Sequence, residues 1–188
     1  MTVKSGARSI TFASSVAFAA KLFVSETDWP LIVTAPPDAP IEALNRAIEG
    51  LYCKTAVHIC YGYGIEANNN WKKSLGHEWR QYEKVFPALA QSSINQVSLE
   101  CFHSHVPPDL MKLLEGKDVM VGVIDVASDT IETPEEVADT IGRALQFVPK
   151  AQLFPCTNCG MAPMDRDIAR AKLQNLAQGA ALARIRYA

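Results

Sequence analysis

From Ile41 onward the chain alternates short apolar, β-rich runs with stretches of helical period, and this alternation constrains the fold more than any other feature. Ile41, Leu44, Ile48 and Leu51 recur at helical spacing and lead into the strand-like run Thr55-Ala56-Val57-His58-Ile59-Cys60. A polar, aromatic insert at 62–79 follows, then a helical stretch over about 78–91 and a second strand, Gln96–Glu100. Pro108–Leu114 reads as helix and Asp118–Ile124 as a continuous apolar strand. Thr133-Pro134-Glu135-Glu136 then opens a helix expected to reach Phe147, with Thr133 as N-cap, Pro134 at the first helical position and Glu136 completing a capping box. A short strand at 152–156 and an Ala/Leu-rich helix at 165–184, interrupted only by Gly179, close the chain. Four strands, each followed by a helix and each apolar enough to be buried on both faces, predict parallel βαβ units and an α/β fold. A complete (β/α)8 barrel needs roughly 250 residues. The chain has 188, so the expectation is a partial (β/α)8 TIM barrel made of about the C-terminal four βα units.

The first forty residues read differently, and the expected division is an atypical N-terminal segment, 1–40, followed by a half-barrel, 41–188. The segment carries a short strand at Leu31-Ile32-Val33-Thr34 and the turn-like Ala35-Pro36-Pro37-Asp38-Ala39-Pro40. Lys4 and Arg8 precede a mildly apolar stretch, 10–20, that imitates a secretory leader, but Thr11, Ser14 and Ser15 interrupt it. Eighteen basic residues against twenty acidic ones give a net charge of -2, which leaves no electrostatic footprint for nucleic acid. No stretch reaches the ~20 apolar residues of a membrane span. Five cysteines in a chain able to bury ~70% of its unfolded surface do not resemble a disulfide framework, so reduced thiols and a cytoplasmic location are expected. A half-barrel would expose strand edges and an apolar interior, which predicts a homo-oligomer or a complementing barrel half.

The chemistry-bearing residues fall at strand ends. His58 and Cys60, two residues apart on one strand, share a face; Glu100 ends the next strand, and Cys156 and Cys159 follow the last. In a (β/α) barrel the C-terminal strand ends form one mouth, so residues far apart in sequence converge there. Imidazole, thiolate and carboxylate together suit zinc, and thiolates disfavour magnesium and calcium. A rival set, Cys101, His103 and His105 with Cys156 and Cys159, would make a zinc site of cysteine and histidine alone. His103 and His105 otherwise read as a loop at the barrel mouth. Cys53 reads as inert packing, and Tyr61 and Tyr63 as pocket-lining or exposed loop aromatics.

These residues resemble the C-terminal catalytic domain of cobalamin-independent methionine synthase and its shorter core relatives in the uroporphyrinogen-decarboxylase-like barrel superfamily. The matching text is Val57-His58-Ile59-Cys60-Tyr61-Gly62, Ser98-Leu99-Glu100, Ile124-Asp125-Val126 before Ile131-Glu132-Thr133-Pro134-Glu135-Glu136, and Asn158-Cys159-Gly160. It covers about residues 41–186. The resemblance implies His58, Cys60, Glu100 and Cys159 as zinc ligands; Tyr61, His103, His105, Asp125 and Cys156 are read from their positions as residues that contact substrate or support the ligands. The chain departs from the family in its insert at 62–79, which resembles the core subgroup's, and in the extra thiol of Cys156. It also departs in residues 1–40, which hold no counterpart of the barrel strand ending in Asp-Glu-Pro that helps bind the amino acid.

The resemblance implies a zinc-dependent methyltransferase of methionine biosynthesis, akin to 5-methyltetrahydropteroyltriglutamate-homocysteine S-methyltransferase. Such an enzyme transfers a methyl group from a methyl-folate, or in core relatives a corrinoid, to the thiol of homocysteine. The alternatives are a non-catalytic zinc-binding fragment, one half of a split enzyme, or, more distantly, a thiol-disulfide protein using Cys156 and Cys159.

Overall fold

The structure, a computed structural model, describes residues 19–20, 38–62, 66–102 and 104–188. Its centre is a parallel sheet of five strands in chain order: β1 (Ala19–Ala20), β2 (Ala56–Ile59), β3 (Gln96–Glu100), β4 (Asp118–Ile124) and β5 (Leu153–Thr157). The order never reverses. Open doubly wound sheets reverse at a switch point, whereas barrels add each strand beside the last. The sheet is thus an α/β arrangement of successive βα units of the kind a (β/α)8 barrel uses. The helices are α1 (Asp38–Ala47), α2 (Glu66–Lys73), α3 (Phe86–Ala90), α4 (Pro134–Ala144) and α5 (Arg166–Arg186).

The two faces of the sheet differ in chemistry. Val57, Val97, Leu99, Val119, Val121 and Val123 alternate onto one face, where each is at most 3% exposed and joins a core with Val137, Ala138, Ile141 and Ala180 from α4 and α5. Successive side chains alternate along a strand, so the opposite face receives His58, Ser98, Glu100, Gly122 and Cys156, together with Met120 and Phe154. The strands read as apolar runs with polar residues set into every second position, and those polar positions carry the site.

Several elements depart from the sequence-based expectation for physical reasons. The helix expected over 78–91 is split into a 3-10 turn, Gln81–Lys84, and α3, because Pro87 has no N–H to donate backwards and is accommodated only in a first turn. Pro108–Leu114 is 3-10 rather than α-helical. The insert at 62–79 contains α2, and α4 ends at Ala144 rather than Phe147. Four strands were expected; the short β1 pairs Ala19 with Ala56 and Ala20 with Val57, adding a fifth. Helix α1 starts at Asp38, ahead of the expected boundary at 41. The strand expected at 31–34 and the leader-like stretch up to residue 18 lie outside the described residues. Cys53 is exposed rather than packed. The capping box of α4 is present in both directions: the Thr133 hydroxyl accepts from the Glu136 N–H, and the Glu136 carboxylate accepts from the Thr133 N–H. No helix among the described residues is long and apolar enough to cross a membrane.

Gly179, the one weak point in the closing helix by propensity, packs directly against the first turn of α4. A Cβ there would lie 2.4 Å from the Val137 side chain and 2.7 Å from the Pro134 carbonyl oxygen. Alanine improves intrinsic helix propensity by ~1 kcal/mol, but overpacking costs about 1–3 kcal/mol. Because one of the clashing atoms is backbone, Gly179→Ala is expected to lower stability. Urea denaturation showing equal or higher stability would contradict this helix contact.

The loop after β4 is held by a buried ion pair. Lys172 on α5 is fully buried and donates to both oxygens of Glu132, at 3.0 and 2.9 Å, and to the backbone carbonyls of Asp125 and Thr130. Glu132 in turn accepts from the Asp125 N–H at 2.8 Å. Every polar bond of the pair therefore fixes the path of 125–132 at the C-terminal edge of the sheet.

Candidate metal centre

β2 and the turn after β5 bring three ligand-type side chains to the same end of the sheet. One ligand atom each from His58, Cys60 and Cys159 lies within 4.8 Å of the others, and among the described residues no other such group of metal-binding type occurs. The sulfurs of Cys60 and Cys159 are 4.0 Å apart. Two sulfurs bound to one tetrahedral zinc at ~2.3 Å would be about 3.8 Å apart, so the pair is already close to the spacing a single ion requires.

His58 is held in place from the neighbouring strand. Its Nδ1 is 3.0 Å from the Ser98 hydroxyl, and the register places the two residues directly opposite on β2 and β3. Its Nε2 is buried and has no hydrogen-bond partner among the described residues. A buried nitrogen without a partner costs about 1–3 kcal/mol, and a metal ion in the His58, Cys60, Cys159 cradle would satisfy it. Ser98 is itself 3.7 Å from the Cys156 sulfur, so hydroxyl, imidazole and thiol form a continuous chain behind the cradle.

The thiols respond to this crowding. Cys159 is held well below the usual thiol range, first by the hydrogen bond from Cys60 and then by the neighbouring His58. Cys60 moves up, because it shares a hydrogen bond with Cys159, is buried, and faces the charges of Cys159 and Glu100. A divalent cation between the two sulfurs would favour the thiolate form of both. Burial pushes Cys156 up to about 11, against the Ser98 hydrogen bond, and Cys101 up to about 12. Neither belongs to the close group.

Glu100 ends β3 and is 5% exposed. One carboxylate oxygen accepts the Tyr61 N–H at 2.8 Å, which ties the end of β3 to the residue after Cys60. The carboxylate lies near enough to raise the Cys60 thiol but is outside the group of three ligand atoms that already meet. The Tyr61 ring is buried, stacked on Trp71 and tilted against Trp79 and Tyr82, with its hydroxyl donating to Gln81 at 2.7 Å. The insert at 62–79 therefore packs on the residue that follows Cys60. Burial, and then the charge of Glu100, raises the Tyr61 phenol above its usual range.

The remaining expected site residues are more scattered. His105 is exposed, with Nδ1 3.0 Å from the His77 carbonyl and its ring against Trp79. His103 lies outside the described residues. The Asp125 carboxylate accepts the Ala127 N–H at 2.8 Å and closes a local turn after β4. Sequence reasoning passed over Ser98, Gly122 and Asn158; the available signal was a polar or glycine residue in or beside an otherwise apolar strand. Removing Ser98, which holds the ring of His58, is expected to weaken metal binding by about tenfold to a hundredfold, as losses of a ligand's hydrogen-bond partner commonly do. Competition with a chromophoric chelator for Ser98→Ala would show no change if the contact were incidental.

Fold and site together define a class: a parallel α/β chain with a cradle of one imidazole and two thiols at the C-terminal ends of its strands. The family model for the cobalamin-independent synthase catalytic domain matches residues 77–182, a span that holds Glu100 and Cys159. The chain belongs to that family. It is 27% identical over 162 residues to a methionine synthase of Thermococcus kodakarensis, covering 85% of this chain and 43% of the relative. It is 29% identical over 165 residues to one from Saccharolobus islandicus, covering 86% and 44%. A solved B12-independent methionine synthase from a Shewanella species, in complex with selenomethionine, superposes with a TM-score of 0.78 at 58% identity, covering 84% of this chain and 46% of that one. The chain thus spans less than half the length of the relatives it matches.

Proposed function

We propose that this chain forms the metal-bearing part of a zinc-dependent methyltransferase that makes methionine by moving a methyl group from a methyl-folate or corrinoid donor to the thiol of homocysteine. The observation that carries the proposal is the convergence of His58, Cys60 and Cys159 with the His58 Nε2 left for a ligand. Family membership supports the reaction type, and the solved relative's selenomethionine is an analogue of the product.

In this reading His58, Cys60, Glu100 and Cys159 hold the zinc. When bound, zinc would lower the pKa of a substrate thiol so that a thiolate, the competent nucleophile, exists near neutral pH. Ser98 holds His58 in the orientation that presents Nε2. The Tyr61 N–H holds Glu100 at the edge of the cradle, and the aromatic packing of Tyr61 keeps water from that side. Glu100 is the hardest donor and stands apart from the three that already meet, so it would be the ligand that gives way to a substrate sulfur. Zinc-edge X-ray absorption with and without homocysteine tests this: one additional sulfur in the metal shell is expected on adding homocysteine, and an unchanged shell would refute the exchange. The expected cytoplasmic location, and pairing with a second copy or a complementing barrel half, belong to the same proposal.

One observation favours a second reading. Because the chain spans less than half of its relatives, it could hold the metal without presenting both substrates, as a zinc-binding fragment or one half of a split enzyme. Methyl transfer by the purified chain alone excludes that reading. Zinc binding without turnover, restored by adding the preceding half of a relative's barrel, supports it.

A further inference from the structure

Asn158 immediately precedes Cys159, is 1% exposed, and spends its whole amide on another strand's end. Its Oδ1 accepts the N–H groups of Cys101 at 3.2 Å and Phe102 at 3.3 Å, and its Nδ2 donates to the Phe102 carbonyl at 2.7 Å. Its own backbone N–H donates to the Ile124 carbonyl at 2.9 Å. One residue thus ties the chain leaving β3, just past Glu100, to the chain leaving β5, just before Cys159, and fastens both to the end of β4.

The bridge has to cross β4, and Gly122 leaves the passage. Gly122 is opposite Glu100 on β3 and Cys156 on β5. A Cβ at Gly122 would lie 2.3 Å from the Asn158 Oδ1, 2.7 Å from the Leu99 carbonyl oxygen and 2.9 Å from the Asn158 Cα. Two of these three atoms are backbone, so a side chain at 122 and the Asn158 bridge exclude one another.

We infer that Asn158, admitted by Gly122, is the positioning residue that sets the distance between Glu100 and Cys159 and so the shape of the metal cradle. The inference rests on the proposed zinc site. It adds to it the residue through which strands β3 and β5, whose ends each supply a ligand but which are not neighbours in the sheet, are held in register. Asn158 touches neither metal nor substrate and acts through the residues on either side of it.

The test uses the full chain, reduced, with Zn2+ affinity measured by chelator competition and Co2+ as the spectroscopic probe. Asn158→Ala is expected to lose about tenfold to a hundredfold in Zn2+ affinity, the usual cost of losing a residue that orients ligands, and to shift the Co2+ ligand-field bands. Gly122→Ala is expected to reproduce both changes. Asn158→Asp keeps the acceptor for the Cys101 and Phe102 N–H groups and sets a carboxylate oxygen against the Phe102 carbonyl in place of the donor. Should the alanine variant fail to fold, Asn158→Asp provides the same test and is expected to shift the Co2+ bands in the same direction. Gly179→Ala, destabilised at the distant α4–α5 contact, is expected to bind as the parent does, which separates positioning from general loss of stability. Parent-like affinity and an unchanged Co2+ spectrum in Asn158→Asp and Gly122→Ala would overturn the inference while leaving the zinc reading intact. Failure of the parent itself to bind Zn2+ or Co2+ would overturn both.

Discussion

Cys60→Ser and Cys159→Ser are each expected to reduce bound zinc from about one equivalent to a small fraction of one. The cradle offers three ligand atoms already within 4.8 Å of each other, two of them sulfur. Serine keeps the shape of the side chain but does not ionise at neutral pH and is a poor zinc ligand. If losing a residue behind a ligand costs about tenfold to a hundredfold, losing a thiolate ligand costs more than a hundredfold. Metal analysis of reduced, dialysed protein reads this directly. His103→Ala and His105→Ala should retain the metal; His105 in particular is exposed and engaged with His77 and Trp79. Zinc retained by Cys60→Ser, and lost from either histidine variant, would favour the set of Cys101, His103 and His105 with Cys156 and Cys159 instead.

The largest effect on stability is expected at Lys172. Its fully buried ammonium meets Glu132, which is 3% exposed, and two backbone carbonyls. Lys172→Met fits the space but leaves a carboxylate without its counter-charge in the interior, a change that costs about 3–5 kcal/mol. For a chain of this size each kcal/mol moves the melting temperature by ~2–4 °C, so a fall of roughly 6–20 °C is expected. Adding Glu132→Gln should recover part of the loss, since the amide oxygen can still accept the Asp125 N–H while the buried charge is gone. A melting temperature unchanged in Lys172→Met would mean that the pair contributes nothing to holding the 125–132 loop.

What the sequence made legible follows from what each feature needs. Strand β4 was read with its boundaries because a continuous apolar run followed by a capped helix has few other folds available, and β3 because Val97 and Leu99 alternate with polar residues. The α4 capping box was read because it is local: Thr133 and Glu136 are three residues apart and need no tertiary partner. His58 and Cys60 were placed on one face by their spacing alone, and the structure carries Cys159 to them from a different strand. The split at Pro87 could have been anticipated from the missing N–H. The 3-10 form of Pro108–Leu114 could not, because nothing local in that segment distinguishes it from one α-helical turn.

The residues that support the site were hidden for a different reason. Ser98 matters because the register sets it opposite His58, and Gly122 matters because Asn158 needs the volume its side chain would fill. Lys172 and Glu132 lie forty residues apart and look like ordinary surface charges until α5 buries them together. Each of these roles is a pairwise property of the folded chain, and no single window of sequence contains it. Tyr61 is the intermediate case: the sequence left it as pocket-lining or an exposed loop aromatic, and the aromatic packing that buries it comes from the insert.

The central claim, that one metal ion is held by ligands from three strand ends, is tested most directly by zinc-edge X-ray absorption on the reduced chain without homocysteine. The account predicts a four-coordinate shell of two sulfurs, one imidazole nitrogen and one oxygen. A shell of three or four sulfurs, or one that keeps its imidazole in His58→Ala, would contradict it.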